Sequence, residues 1–142
     1  MPTAWLLLIY RVPRDPTSSR VYVWRKLKRL GAIALQDAAW VLPKTPRTQE
    51  QFQWLAAEIV ELKGEAILWE AAQLYAADPN ALRRQFADSV ETEYQEIISE
   101  LKKKDRDLAV LSKRFQEAQS RDYFESSLGQ KARDKLLAAG GG

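Results

Sequence analysis

The stretch that decides the fold is VYVWRKLKRLGAIALQDAAWVLP, residues 21–43. Apolar residues in its first half recur every three positions and predict a helix with one apolar face: Val21, Trp24, Leu27 and Leu30. Gly31 follows where helices commonly end in a left-handed residue. The two short apolar runs after it predict strands over residues 32–36 and 40–43.

The same helix carries a cluster of cations, expected on the arc away from its apolar face. These cations are Arg20, Arg25, Lys26, Lys28 and Arg29. A helix that is apolar on one side and cationic on the other can both pack a core and bind an anion such as a nucleic-acid backbone. The alternative is an ordinary solvated basic face.

The segments before this helix predict a buried strand and a polar loop. Residues 5–10, WLLLIY, form a continuous apolar run typical of a central strand buried on both faces. The loop after it carries Arg11 and Arg14, and Thr17, Ser18 or Ser19 is expected to cap the helix. Cations beside a helix N-terminus form a candidate oxyanion site. The alternative is a plain connecting loop.

The order of elements predicts an α+β fold. Thr48 and Gln51 fit a capping box that starts a second helix, whose apolar face includes Phe52 and Ile59. Residues 65–70, EAILWE, then predict a fourth strand. The resulting βαββαβ order is that of a ferredoxin-like domain, placed at residues 1–76.

Residues 77–142 predict a helical extension, which packs on that domain or on a second copy. Asp78 and Pro79 resemble a helix start. Apolar spacing continues to about residue 119, and the polar patch at residues 102–107 contains neither Gly nor Pro, so one continuous or bent helix is favoured over a turn. The aromatic residues of 122–125 are expected to dock on a core, and residues 130–138 to form a last helix.

The chain contains neither Cys nor His. This composition excludes thiolate chemistry, disulfides, zinc-finger sites and imidazole general bases. Carboxylates alone could still bind Mg²⁺, but we expect no enzyme, no cofactor and no metal site. No apolar run reaches 18 residues and the N-terminus lacks a basic signal region, which favours a cytoplasmic protein without membrane contact.

Charge is distributed unevenly along the chain. The net charge is +3 overall, but residues 1–50 hold nine Lys and Arg against three Asp and Glu. Residues 51–95 hold three against eight. The N-terminal third is therefore expected to present a basic surface, which suits a phosphate backbone.

Residues 5–66 resemble the N-terminal domain of ChrB-type chromate-resistance regulators. The segments WRKLKRLGA (24–32) and AWVLP (39–43) carry most of the likeness, and RDYF (121–124) resembles a short motif in the same family. The resemblance implies a bacterial, cytoplasmic, chromate-responsive transcription regulator whose N-terminal part binds DNA. Members of the family usually carry a second, C-terminal domain.

A more distant likeness is to CRISPR-associated ferredoxin-like endonucleases and the related domain of phenylacetate-type repressors. Those nucleases are expected to hold a metal with an Asp that follows an aromatic residue at the end of the first strand. Here Arg11 follows Tyr10, and Asp15 comes four residues later. The likeness therefore implies the fold without the cleavage chemistry.

Three functions remain open from the sequence. The leading hypothesis is a DNA-binding transcription regulator in chromate resistance, which contacts double-stranded DNA through the five cations of the basic helix. The second is chromate or oxyanion sensing by Arg11 and Arg14. The third is a dimerisation module, in which the extension forms a homodimer without DNA binding of its own.

Overall fold

A computed structural model describes residues 4–36 and 38–141 of the chain. It divides into a sheet unit, Met1–Pro79, and a helical unit, Asn80–Gly142. The elements of the sheet unit are β1 (Trp5–Arg11), α1 (Thr17–Leu30), β2 (Ile33–Gln36), β3 (Ala39–Pro43), α2 (Pro46–Glu61) and β4 (Glu65–Ala71).

The sheet unit contains one four-stranded antiparallel sheet in the order β2-β3-β1-β4. β1 lies in the middle, with Leu7 opposite Val41 of β3 on one side and Trp69 of β4 on the other. This arrangement confirms the predicted α+β class with helices after the sheet. The strand boundaries agree with the sequence prediction to within one residue.

The prediction that β1 is buried on both faces holds only at its start. Leu6 and Leu8 are buried on one face and Trp5 is buried on the other, but Ile9, on the same face as Trp5, is 42% exposed. Side chains alternate between the two faces of a strand. A continuous apolar run therefore does not establish that both faces are covered.

The apolar face predicted for α1 is right at Leu27, which is buried, and wrong at Val21 and Trp24. The buried residues of α1 are Ser19, Val23 and Leu27, whereas Trp24 is 49% exposed and Val21 is 39% exposed. A step of three residues drifts by about 60° around a helix, so the three steps from Val21 to Leu30 spread these residues over half its circumference. Steps of four drift by about 40°, which keeps the three buried residues together.

The boundaries of the two helices in this unit have clear local causes. Gly31 has φ 79°, and the amide of Ala32 donates to the Leu27 carbonyl at 3.0 Å, which confirms the predicted glycine stop. α2 begins earlier than predicted, because the capping box joins Thr45 and Thr48, with Pro46 at the first helical position. Phe52 on its buried face is fully enclosed, as the period predicts.

The tryptophans are divided between the core and the surface. Trp54 and Trp69 are 67% and 51% exposed. Trp5 and Trp40 are buried, each at 6% exposure. Three of the five indoles, including that of Trp24, therefore present about half or more of their surface outside the core.

Within the described residues 80–141, the helical unit contains three α-helices and a final turn. They are α3 (Ala81–Leu101), α4 (Leu108–Gln119), α5 (Ser127–Leu136) and the turn Leu137–Gly141. Residues 102–107 are a turn, so the favoured continuous helix is wrong. Asp107 caps α4, since its side chain accepts hydrogen bonds from the amides of Ala109 and Val110 at 3.1 and 3.2 Å. The sequence did not indicate this helix start, because residues 102–107 contain neither Gly nor Pro.

Two other helix starts also differ from the sequence prediction. α3 begins at Ala81 with Asn80 at its cap position, two residues beyond the predicted Pro79. α5 begins at Ser127 after the cap Ser126, three residues before the predicted start. The aromatic residues between α4 and α5 do dock on a core, because Tyr123 and Phe124 stack edgewise on Phe86.

The core of the helical unit is centred on Tyr94, which is 1% exposed. Its hydroxyl donates to Asp122 Oδ2 at 3.0 Å. Burial, together with this hydrogen bond and the Asp122 charge, raises the pKa of Tyr94 above its ordinary value of 10. The stabilisation that belongs to the neutral phenol is complete below about pH 10 and decreases as the pH rises further.

Replacing Tyr94 by phenylalanine should therefore remove part of this alkaline sensitivity. At neutral pH the variant should lose about 1 kcal/mol, because Asp122 loses one hydrogen-bond donor. Thermal unfolding followed by far-UV circular dichroism, from neutral pH to about pH 11, measures both effects. Tyr75→Phe is the control, since Tyr75 is 86% exposed. Parallel pH curves for wild type and Tyr94→Phe would contradict the assignment.

Candidate nucleic-acid interface

The five cations predicted to contact DNA all lie on α1, which contains no acidic residue. Arg25 lies about 180° around the helix from the midpoint between the buried Val23 and Leu27, and Lys28 and Arg29 flank it. Their side chains therefore form the outward face of α1. Within residues 4–36 and 38–141, none of the five cations forms an ion pair with a carboxylate.

The two flanks of α1 differ in what they border. On one flank, Lys26 and Arg29 line a hollow of about 400 Å³ with Arg47 and Trp54 of α2. Tyr22 donates a hydrogen bond to Glu58 of α2, which fixes this side of α1 against α2 and raises the pKa of Tyr22. Arg20 lies on the opposite flank, so the five predicted cations do not form one patch.

The opposite flank borders a larger cavity of about 720 Å³. Its walls come from the end of β1, the following loop, the first half of α1 and the start of β3. Three arginines and three aromatic residues line it: Arg11, Arg14, Arg20, Tyr10, Trp24 and Trp40. The structure thus brings Arg11 and Arg14, predicted from the sequence as an oxyanion pair, together with Arg20.

Arg11 and Arg14 differ in their availability to an anion. The Arg11 guanidinium donates to Glu65 Oε2 at 2.6 Å, and both side chains are largely exposed. An anion must therefore compete with a carboxylate for Arg11. Arg14 has no such partner among the described residues, which leaves Arg14 and Arg20 as the more accessible guanidinium groups.

The start of α1 also opens on this cavity. The cap position is Pro16, and no side chain caps the helix, so the expected cap by Thr17, Ser18 or Ser19 is wrong. The backbone amide of Ser19 instead donates a hydrogen bond to the Pro16 carbonyl at 3.2 Å, and Ser19 is buried. The first amides of a helix without a side-chain cap remain available to an anion.

Sequence reasoning missed the aromatic walls of the cavity. Trp24 was expected in the core, yet the Lys28 ammonium lies 5.6 Å from its ring centroid on the surface of α1. An aromatic residue placed four positions before a lysine in a basic helix was the available signal. Tyr10 and Trp40 could not be found in this way, because their strands approach α1 only after folding.

No helix within residues 4–36 and 38–141 combines the length and the apolar character needed to cross a bilayer. In the same described ranges, the acidic residues form no group of three or more that could hold a metal ion. The features that remain are an antiparallel sheet, a basic helix and a cationic cavity with aromatic walls. They define an α+β protein with a basic, partly aromatic surface.

Comparison with known proteins assigns the chain to a protein family. The family model described as "Protein ChrB, N-terminal" matches residues 20–110, from α1 to the start of α4. Protein ChrB of Cupriavidus metallidurans is 34% identical over 99 residues. The chain therefore belongs to the ChrB N-terminal family, and the matched region contains all five cations of α1.

The alignment with that relative covers 70% of this chain and 30% of the relative. The chain thus spans about a third of the length of the curated protein it matches. No solved structure gives a significant match to the chain.

Proposed function

We propose that the chain is a non-catalytic regulator domain that binds double-stranded DNA and acts in chromate resistance. The observation that carries the proposal is the outward face of α1, where Arg25, Lys28 and Arg29 are exposed and lack carboxylate partners in the described part of the chain. A helix with this charge and no acid attracts phosphate groups. Membership of the ChrB family supports the link to chromate.

These contacts would position the protein on DNA rather than read its sequence. Lysine and arginine contacts to phosphate release counterions, so affinity depends strongly on salt. Recognition of a DNA sequence would require a guanidinium group that contacts the edge of a base.

The test is fluorescence anisotropy of a mixed pool of labelled duplexes, titrated at several salt concentrations. Replacing Arg25 and Arg29 by alanine removes two phosphate contacts. The affinity should fall about 60-fold at 0.1 M salt, and the slope of log K against log salt should become shallower by about 1.8. Both side chains are exposed, so the fold should be retained.

The matched control removes two cations elsewhere. Lys102 and Lys104 lie in the exposed turn between α3 and α4, and replacing them by alanine changes the net charge by the same amount. This variant should bind nearly as wild type. Equal losses in the two variants, or unchanged binding by folded Arg25→Ala/Arg29→Ala, would remove α1 from the interface.

A second candidate function is oxyanion sensing at the larger cavity, favoured by the three guanidinium groups that line it. A tetrahedral dianion such as chromate suits clustered arginine donors and helix-terminal amides. Isothermal calorimetry with chromate and with sulfate tests this proposal. No heat from chromate, or equal heat from both anions, would count against a selective chromate site.

A further inference from the structure

The cavity beside α1 is larger than an inorganic oxyanion requires. Its volume of about 720 Å³ falls in the range of pockets that hold organic ligands. A tetrahedral anion held by Arg14 and Arg20 would fill only a small fraction of it. The rest of the ligand must be complementary to the other walls, which are aromatic.

The aromatic walls provide a stacking surface. Trp24 is half exposed, so one part of its indole is available to a planar group. Trp40 is 6% exposed, and its buried indole N–H lies near the Tyr10 hydroxyl.

Tyr10 and Arg20 add to the polar side of the same cavity. Burial raises the pKa of Tyr10, opposed in part by the nearby Trp40 N–H and by the Arg20 charge. The Tyr10 hydroxyl therefore stays protonated at neutral pH and can donate or accept a hydrogen bond. Together with the first amides of α1 and the two guanidinium groups, the cavity offers an anion subsite beside an aromatic one.

We propose that this cavity binds one unpaired nucleotide of a single-stranded nucleic acid, with its base stacked on Trp24 and its phosphate at Arg14 and Arg20. Base stacking on an aromatic side chain next to cations is the general mode of sequence-tolerant single-strand binding. The ligand class goes beyond the duplex contacts proposed for the outward face of α1.

The surroundings favour a strand over a free mononucleotide. Beyond Trp24, α1 continues with Arg25 and Lys28, whose exposed cations lie outside the cavity. They can contact the phosphates that flank the bound nucleotide in a strand. A free mononucleotide has no such phosphates and would leave these cations unused.

The test measures binding of a fluorescein-labelled oligothymidylate to the full chain by anisotropy. Trp24→Ala should weaken single-strand binding about 10-fold, the loss expected for one stacked base, and Trp24→Phe should restore most of it. Binding of duplex DNA by Trp24→Ala should stay within about twofold of wild type, since a paired base cannot stack there. The duplex measurement also separates failure of this proposal from failure of the proposed regulator function.

Trp69→Ala is the matched control, because Trp69 is exposed to the same extent and lies on β4, outside the cavity. It should bind the oligothymidylate as wild type. Equal weakening by Trp24→Ala and Trp69→Ala would overturn the proposal, as would wild-type affinity of a folded Trp24→Ala. Competition experiments distinguish a strand from a free nucleotide as the ligand. If adenosine monophosphate displaces the labelled strand as effectively as the unlabelled strand does, the ligand is a free nucleotide and not a strand.

A third competitor tests the aromatic contribution directly. If sulfate displaces the labelled strand as well as adenosine monophosphate does at equal ionic strength, the cavity recognises the anion alone and the nucleotide proposal is wrong. If adenosine monophosphate displaces the strand more effectively than sulfate does, and this difference disappears in Trp24→Ala, the result supports stacking, because sulfate has no ring.

Discussion

Replacing Phe52 by alanine should destabilise the sheet unit by about 3–5 kcal/mol, the loss typical of a buried phenylalanine. Phe52 is fully enclosed on the face of α2 that packs on β1 and β4. The truncation removes apolar burial and leaves a cavity, which neighbouring side chains fill only in part. The expected result is therefore a large shift of the unfolding transition of this unit.

The tryptophans make this transition measurable by itself. All five lie within residues 1–79, so indole fluorescence during urea denaturation reports on the sheet unit. Phe52→Leu should recover most of the loss because it refills most of the volume. Trp54→Ala, two positions away and 67% exposed, should change the free energy of unfolding by no more than about 0.5 kcal/mol. A loss below about 1 kcal/mol in Phe52→Ala would contradict this account of the core.

The sequence predicted the order of the elements because each apolar run had a clear period and a clear stop. Gly31 ends α1 as expected, and the buried face of α2 follows the helical period through Phe52. The start of α2 was misplaced because two threonines compete for the cap. Thr45 is followed by Pro46, which fixes the first helical turn, and this signal outweighed the Thr48–Gln51 pair.

The rotation of α1 could not be read from its own residues. Val21 and Trp24 are as apolar as Val23 and Leu27, and only packing against the rest of the sheet unit selects the second pair. The choice has functional consequences, because it places Trp24 on the surface beside Lys28 instead of in the core. The sequence of α1 alone could not predict the aromatic cavity, because its walls also include the end of β1 and the start of β3.

The turn at residues 102–107 is a second feature that the local sequence did not predict. Charged residues such as Lys103 are compatible with a helix, and Lys103, just beyond α3, in fact pairs with Glu100 of the last turn of α3. The chain nevertheless leaves the helix, since α3 and α4 bury Leu101 and Leu111 in a shared core. Arg114 of α4 reinforces this packing by contacting Glu93 and Glu96 at 2.8 Å each. Tertiary packing of this kind overrides local propensity.

Replacing Gly64 by alanine should destabilise the sheet unit by about 2–3 kcal/mol, a result expected of overpacking against a rigid backbone. A Cβ at this position would lie 2.4 Å from the Arg11 carbonyl oxygen and 2.9 Å from Ile59 Cγ2. The Arg11 carbonyl belongs to the end of β1, where Arg11 is opposite Glu65 in the sheet. The added methyl can be accommodated only if β1 and β4 move apart at this end.

The neighbouring residue provides the control, because it separates close approach from backbone conformation. Lys63, not Gly64, adopts the left-handed conformation after α2, with φ 68°. Lys63→Gly should therefore leave the stability unchanged or raise it by up to about 1 kcal/mol. If both substitutions are neutral in urea denaturation followed by indole fluorescence, the contact between Gly64 and β1 is not close in solution.

Gly64→Ala should also weaken binding at the cavity, although Gly64 does not line it. Displacing the end of β1 also moves Tyr10, which lines the polar side of the cavity. The contacts proposed for duplex DNA come from the outward face of α1, which is not part of this strand pair, and should persist under conditions where the variant is folded. A folded Gly64→Ala variant should thus lose affinity for oligothymidylate but not for duplex DNA. Equal losses for the two ligands would mean that the end of β1 does not act separately on the cavity.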